Sequence, residues 1–211
     1  MNRQALYRPF KRLADIVVSA VALVVLSPVL VVVGLLVIAD LGSPVLFRQT
    51  RPGRGARPFT LYKFRTMRGA ADNGLAAVAT DTERVTSLGQ FLRKSSLDEL
   101  PELFNVLRGD MSFVGPRPML MEYVPLFSAT QARRHEVTPG LTGLAQVSGR
   151  NALSWERRFA LDVEYVDTMG PLVDLGILFK TVGVVLSRRG ADGGVGAELP
   201  PFTGSESTEI S

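Results

Sequence analysis

The feature that most constrains this chain is Ile16–Ala39, 24 residues without a charge. As one helix it would rise about 36 Å at ~1.5 Å per residue, enough to cross a hydrocarbon core of about 30 Å. It exceeds the roughly 7–15 apolar residues of a secretory signal, so a cleaved leader fits poorly. Two features argue against a plain spanning helix. Ser27-Pro28 stands at its centre. There the proline removes a backbone hydrogen bond, and the serine hydroxyl can occupy the freed carbonyl. Both flanks are basic, with Arg3, Arg8, Lys11 and Arg12 before the stretch and Arg48, Arg51, Arg54 and Arg57 after it. Basic flanks stay cytoplasmic, so a spanning helix would leave one on the wrong side. A helix broken at Ser27-Pro28 that enters and leaves by one face satisfies both. On these residues alone, the spanning and re-entrant geometries both stay open.

Outside this stretch the chain reads as an ordinary soluble domain. Its 211 residues, 46% of them hydrophobic, argue for one domain with appendages and against disorder or a multi-span transporter. The absence of cysteine, with His135 as the one histidine, excludes a disulfide framework and a cysteine nucleophile, and nearly excludes zinc. Neither a P-loop nor a dinucleotide fingerprint is present. The net charge is +4, and 20 of the 24 basic residues are arginine. Arginine suits bidentate phosphate contacts, although a GC-rich coding sequence also inflates it. Basic charge without a helix-turn-helix or RNA-binding signature does not indicate nucleic acid. Carboxylates, arginines and glycine turns remain, a set suited to phosphate chemistry with a hard divalent metal.

Val45–Thr50 and Pro58–Phe64 are β-prone, and the Pro/Gly-rich basic segment between them predicts a hairpin. Residues 69–82 read as a loop and Thr86–Lys94 as a short helix. Leu97, Leu100, Leu103, Phe104 and Leu107 follow helical spacing. Met119–His135 predicts a helix interrupted by Pro125, and Trp155, Phe159, Val163 and Val166 form one apolar stripe. The last helix begins at Pro171, suited to a first helical position, and stops before Gly190. Apolar over most of its surface, it is either buried or lies in a membrane interface. Residues 191–211 read as a flexible tail.

The densest chemistry lies in Ser95–Glu102, where Pro101 fixes a helix start close to Asp98 and makes Asp98 a candidate N-cap. Asp98 and Glu99 then lie near the positive end of a helix dipole, just after Arg93 and Lys94. A carboxylate there stays ionised and can act as a nucleophile or a Mg²⁺ ligand; the plainer alternative is a capping acid. Arg117 sits between two prolines in Val114–Pro118. Arg150 ends the turn-rich run from Thr138, and Lys63 and Arg65 close the hairpin. Taken singly, each is more ordinary as a structural residue. His135, beside Arg133, Arg134 and Glu136, reads as a surface or satisfied histidine.

Together these stretches resemble the bacterial sugar transferases that act as polyprenyl-phosphate phosphoglycosyl transferases, especially the small monofunctional members. The likeness rests on KRLAD (11–15), SP (27–28), PFTLYKFRTM (58–67), SLGQFLRKSSLDELPELFNVLRGDMSFVGPRP (87–118), TPGLTGLAQVSGRN (138–151) and SWERRFALDVEYV (154–166), and covers residues 8–190. ALSW after GRN, and PPFTG at 200–204, are similar to the subgroup handling N-acetylated amino sugars such as diacetylbacillosamine.

The resemblance implies an α+β, mostly helical fold. Residues 1–42 would hold a basic N-terminus and a re-entrant membrane helix broken at Ser27 and Pro28. Residues 43–190 would form a cytoplasmic catalytic domain with a β-hairpin and amphipathic interface helices, and 191–211 a tail. It implies that Asp98 attacks the β-phosphate of a UDP-sugar, releasing UMP, and that undecaprenyl phosphate then takes the sugar-phosphate. Glu99, with Asp98, would hold Mg²⁺. Arg93, Arg117 and Arg150 match family arginines and are expected on phosphate, with Lys63 and Arg65 beside them. Arg12 and Asp15 match a pair that anchors the membrane helix. The implied setting is membrane lipid at the cytoplasmic face of a bacterial inner membrane, upstream of further glycosyltransferases. Ala56 departs from a common hairpin glycine, and Glu102 from a common glutamine. A non-catalytic adaptor holding anionic lipid is the rival class; the intact DELP stretch weighs against it.

Overall fold

The computed structural model describes residues 3–69, 84–149, 153–186 and 200–204. These are mostly helical, with two small two-stranded sheets. The apolar segment forms two arms, α1 (Arg3–Val25) and α2 (Ser27–Leu41), bent by 62°. Neither helix alone is long and apolar enough to cross a membrane. The break has a local cause. Pro28 has no N–H to offer the Val24 carbonyl, and Ser27 Oγ donates to that carbonyl instead at 2.7 Å. The helical ladder resumes as Leu30 N donates to the Leu26 carbonyl at 2.9 Å. Val21, Val24, Val25, Val31 and Leu35 around the bend are exposed, whereas Val33 and Val37 pack on Phe64 and Leu92.

The hairpin pairs β1 (Leu46–Pro52) with β2 (Pro58–Phe64), antiparallel, with Leu46 opposite Phe64. At its tip Gly55 and Ala56 are both left-handed, at φ +67° and +57°. The alanine therefore keeps a glycine-type turn, at a cost of about 1–2 kcal/mol. Next come α3 (Ser87–Ser95), capped by the Thr86 hydroxyl accepting from Gly89 N, and α4 (Glu102–Arg108). β3 (Ser112–Val114) and β4 (Gly140–Thr142) pair in parallel. They lie so close that a Cβ on Gly115 or Gly140 would strike backbone.

The helix expected over 119–135 is replaced by a 3-10 run at Met121–Leu126, α5 (Ala129–Ala132) and a second 3-10 run at Arg133–Glu136. Pro125 interrupts the ladder, and a Ser128–Gln131 capping box restarts the chain in a new direction. Then follow α6 (Leu144–Ser148), α7 (Trp155–Thr168) and α8 (Pro171–Leu186). The main core joins Val114 and Val137 to Tyr165, Val166, Met169 and Ile177.

Arg12 donates to the last carbonyls of α4, Val106 and Leu107, at 2.6 and 2.7 Å, a favourable place for a cation. Asp15 Oδ1 accepts from Phe113 N at 3.1 Å. The pair thus anchors α1 as expected, each residue on its own partner. Asp174 on α8 adds a third tie, 2.5 Å from Lys11 Nζ and accepting from the Tyr7 and Tyr165 hydroxyls at 2.8 Å each.

Two expectations change. Residues 200–204, assigned to a flexible tail, instead pack on the domain. Phe202 is 4% exposed, against Tyr123 and Phe159, and Trp155 Nε1 donates to the Pro200 carbonyl at 2.9 Å. Aromatic burial of this kind outweighs the entropy of one short segment. For the last helix the fully buried alternative is set aside: Asp174 and Ile177 face the core, while Leu172 (83%), Leu175, Phe179 (75%) and Val182 form an exposed apolar stripe.

Candidate active site

Ser96 is left-handed, at φ +57°, and ends α3. The chain turns there into a 3-10 turn, Leu97–Glu99, and α4 begins only at Glu102, with Pro101 preceding it. Asp98 is therefore not the N-cap proposed from Pro101. It sits one turn earlier, because the 3-10 turn satisfies its own amides through Glu99 N to Ser96 O and Leu100 N to Leu97 O. Its carboxylate is free of capping duty.

Two elements converge on Glu99. Lys63, from the end of β2, places Nζ 2.6 Å from Glu99 Oε1 and 3.1 Å from Glu102 Oε1. Arg117, from the loop after β3, places Nη2 2.5 Å from the same Glu99 oxygen. Burial alone would raise the Glu99 carboxyl, but Arg117 and Lys63 hold it well below the usual carboxylate range. Burial likewise opposes the charge on Lys63, yet Glu99, Glu102 and Asp98 leave it raised. Arg117 is raised, chiefly by Glu99. Glu102, 2% exposed, is raised by burial despite Lys63. It is a buried partner of the lysine.

Asp98 behaves differently. It is 9% exposed, and among the described residues its carboxylate makes no hydrogen bond or ion pair. Burial raises its pKa, with Lys63, Arg117 and Arg93 pulling the other way and Glu99 adding to the rise. The expectation that basic neighbours dominate there is reversed: burial is the larger influence on Asp98, and the cations serve Glu99.

A cleft of about 480 Å³ opens beside the cluster. Glu99, Arg117, Gln146, Arg158 and Asp162 supply its polar lining, and Leu100, Phe113, Met119, Leu141 and Leu178 an apolar wall. A polar end beside an apolar wall can accept a phosphorylated ligand with a greasy portion.

The other expected phosphate contacts divide. Arg93 Nε donates to Thr66 Oγ1 at 3.0 Å, and its charge still bears on Asp98. Arg65 is turned away from the cleft and caps α2, donating to the Leu41 and Gly42 carbonyls, the latter at 2.7 Å. A guanidinium at a helix C-terminus is satisfied there, and this removes Arg65 from the phosphate set. Arg150 lies outside the described residues.

Sequence reasoning missed Arg134 and Asp162. Arg134, 2% exposed, donates to Asp162 Oδ2 through Nε and Nη2, at 3.0 and 2.7 Å, and through Nη2 to the Arg117 carbonyl at 2.7 Å. Its guanidinium lies over the Phe127 and Phe159 rings, 5.4 and 5.5 Å from their centroids. No local signal marks a pair 28 residues apart. His135 corrects another expectation. It is not on the surface but buried, and its Nε2 lacks a partner among the described residues. Burial and Arg134 lower its pKa to about 4.

Known proteins are similar to this chain over most of its length. A family model described as bacterial sugar transferase matches residues 6–188. The Bacillus subtilis (strain 168) sugar transferase EpsL is 49% identical over 195 residues, spanning 92% of this chain and 96% of that protein. A UDP-glucose:undecaprenyl-phosphate glucose-1-phosphate transferase of Caulobacter vibrioides is 40% identical, over 86% of this chain and 71% of its own. The exopolysaccharide production protein ExoY of Sinorhizobium fredii is 39% identical, over 86% and 87%. The match spans most of both bent arms, the acid cluster and α8, and the chain belongs to the bacterial sugar transferase family.

Proposed function

We propose that this chain is a polyprenyl-phosphate phosphoglycosyl transferase that moves a sugar-1-phosphate from a UDP-sugar to undecaprenyl phosphate. The observation that carries the reading is the division of labour in the dyad. Glu99 is held by Lys63 and Arg117, whereas Asp98 is unengaged among the described residues. An Asp98 oxygen attacks the β-phosphorus, the bond from that phosphorus to the oxygen bridging it to the α-phosphate breaks, and UMP leaves. An oxygen of undecaprenyl phosphate then attacks the same phosphorus and frees the carboxylate. Two displacements predict ping-pong kinetics. Lys63 and Arg117 offset the negative charge that a carboxylate meets on approaching phosphate.

Among the described residues no three carboxylate or imidazole groups converge as a metal cage. The donor set still fits Mg²⁺, which commonly takes one or two carboxylates plus substrate phosphate oxygens, here Asp98 and Glu99. Bound there, it would neutralise charge on the diphosphate.

The bent arms with their exposed valines, and the apolar stripe on α8, support a monotopic placement in one leaflet. The setting proposed is the cytoplasmic face of a bacterial inner membrane, at the first membrane step of glycoconjugate assembly, with downstream glycosyltransferases taking the product. For the sugar, an N-acetylated amino sugar is proposed. The two stretches that suggest it meet in space, Trp155 lying 5.8 Å from Phe202, centroid to centroid.

The test is UMP release from a panel of UDP-sugars by the membrane-bound protein with undecaprenyl phosphate and Mg²⁺. Wild type is expected to turn over and Asp98→Asn is not. Normal turnover by Asp98→Asn would falsify the nucleophile assignment.

A further inference from the structure

A second cavity, of about 290 Å³, lies between the start of α1, the hairpin tip and β3. Strand alternation separates it from the cleft: Phe113 lines the cleft, while its neighbour Ser112 lines this cavity. The two spaces are on opposite faces of one strand.

Its lining is strongly cationic. Arg8, Lys11, Arg12 and Arg54 contribute to it, against one lining carboxylate, Asp15. Two of the cations have structural partners, Lys11 on Asp174 and Arg12 on two carbonyls. Asp15 accepts from the Phe113 amide. The side chains of Arg8 and Arg54 make no hydrogen bond or ion pair among the described residues. Ser112 is 1% exposed, and its buried Oγ has no partner among the described residues. A buried hydroxyl without a partner costs free energy. Two unpaired guanidinia at the same cavity repel each other. An anion with several acceptor oxygens would relieve both.

We propose that this cavity is a binding site for a phosphate group, separate from the catalytic cleft, with Arg8 and Arg54 as charge partners and Ser112 Oγ as a neutral donor. Arginine is the residue suited to multidentate phosphate contact. The phosphate can be free in solution or carried by an anionic lipid headgroup. The second source is geometrically open, since Leu6, Phe10 and Leu13 are exposed on the same basic stretch of α1 and lead into the apolar arm.

The full chain in neutral detergent is titrated with inorganic phosphate at constant ionic strength, following thermal unfolding. In a parallel arm it is placed in phosphatidylcholine nanodiscs with and without phosphatidylglycerol. Arg8→Gln/Arg54→Gln is compared with Arg57→Gln, which removes an exposed charge from the same hairpin tip but does not line the cavity. A stabilisation by phosphate that the double variant weakens about tenfold in apparent Kd, and Arg57→Gln leaves intact, supports the site with a soluble source. The same pattern with phosphatidylglycerol alone supports a lipid source. Ser112→Ala gives a second reading: a purely structural serine predicts a higher Tm and unchanged ligand response, while the proposed role predicts a weaker response. No response to either ligand, or equal loss in the double variant and Arg57→Gln, would overturn the proposal.

Discussion

Arg134 Nη2 donates to the backbone carbonyl of Arg117 at 2.7 Å. The residue that grips Glu99 is thus itself held in place from the core. Arg134→Met would leave Asp162 charged, buried and unpaired, a loss of about 3–5 kcal/mol. Arg134→Lys keeps the charge but cannot span Asp162 and the carbonyl together. It is expected to stay folded with kcat lowered about tenfold and KM for the UDP-sugar changed less, as steady-state UMP release would read. Wild-type kcat in Arg134→Lys would remove the link to Arg117.

The acid cluster predicts distinct pH behaviour. As the proposed nucleophile, Asp98 would have to be ionised, and burial raises its pKa, so the acid limb of kcat/KM should lie above that of a free aspartate. Lys63 pulls that pKa down. Lys63→Met should therefore move the limb to higher pH as well as reduce the rate. Glu99→Gln removes the anchor of two cations and is expected to cost about 100-fold in kcat. A limb that moves downward in Lys63→Met would contradict the assignment.

His135 predicts a stability profile. Its folded pKa is lowered from 6.5 to about 4, so the native state disfavours the proton that the unfolded chain accepts. Its contribution is present above pH ~6.5 and is lost progressively as pH falls from there toward ~4. Denaturant midpoints across that range should fall less steeply in His135→Gln.

Backbone conformation supplies a prediction of opposite signs. Ala56 is left-handed, so Ala56→Gly should stabilise the protein by about 1 kcal/mol. Gly140 abuts the Gly115 backbone, and Gly140→Ala should destabilise by about 2–3 kcal/mol. Calorimetric Tm values read both.

For the bend, single cysteines placed by Arg3→Cys and Thr50→Cys in this cysteine-free chain should react with an impermeant reagent from one side only. Reaction from opposite sides would refute the re-entrant placement. Pro28→Ala restores the missing amide and is expected to favour a straighter helix, with mixed labelling.

Legibility in the sequence followed locality. The hairpin could be read because β-prone runs flank a Pro/Gly turn, and the break because Ser27 and Pro28 act on a carbonyl three or four residues away. The last helix could be read from Pro171 and its apolar run, although only packing reveals that its Phe179 face is bare. The acid cluster was half visible. Asp98 and Glu99 stood out by type and spacing, but that Lys63 would clamp Glu99 and Glu102 depends on pairing elements 36 and 39 residues apart. Arg65 shows the converse, since beside Lys63 it looked like a second phosphate ligand, yet its side chain serves the end of α2. Asp174 and Asp162 gave no local sign at all, because their partners are supplied by tertiary packing.

The 62° bend has a further consequence. The apolar part of α1 from Ile16 to Val25 rises about 15 Å, half of a ~30 Å hydrocarbon core. Placed as proposed, its apex stops near the midplane and the protein meets the lipids of a single leaflet. Its lipid carrier would arrive by sideways diffusion, a search in two dimensions. The glycosylated product would start on that same leaflet, so any glycan needed on the far side requires a separate flipping step that this chain is not built to perform.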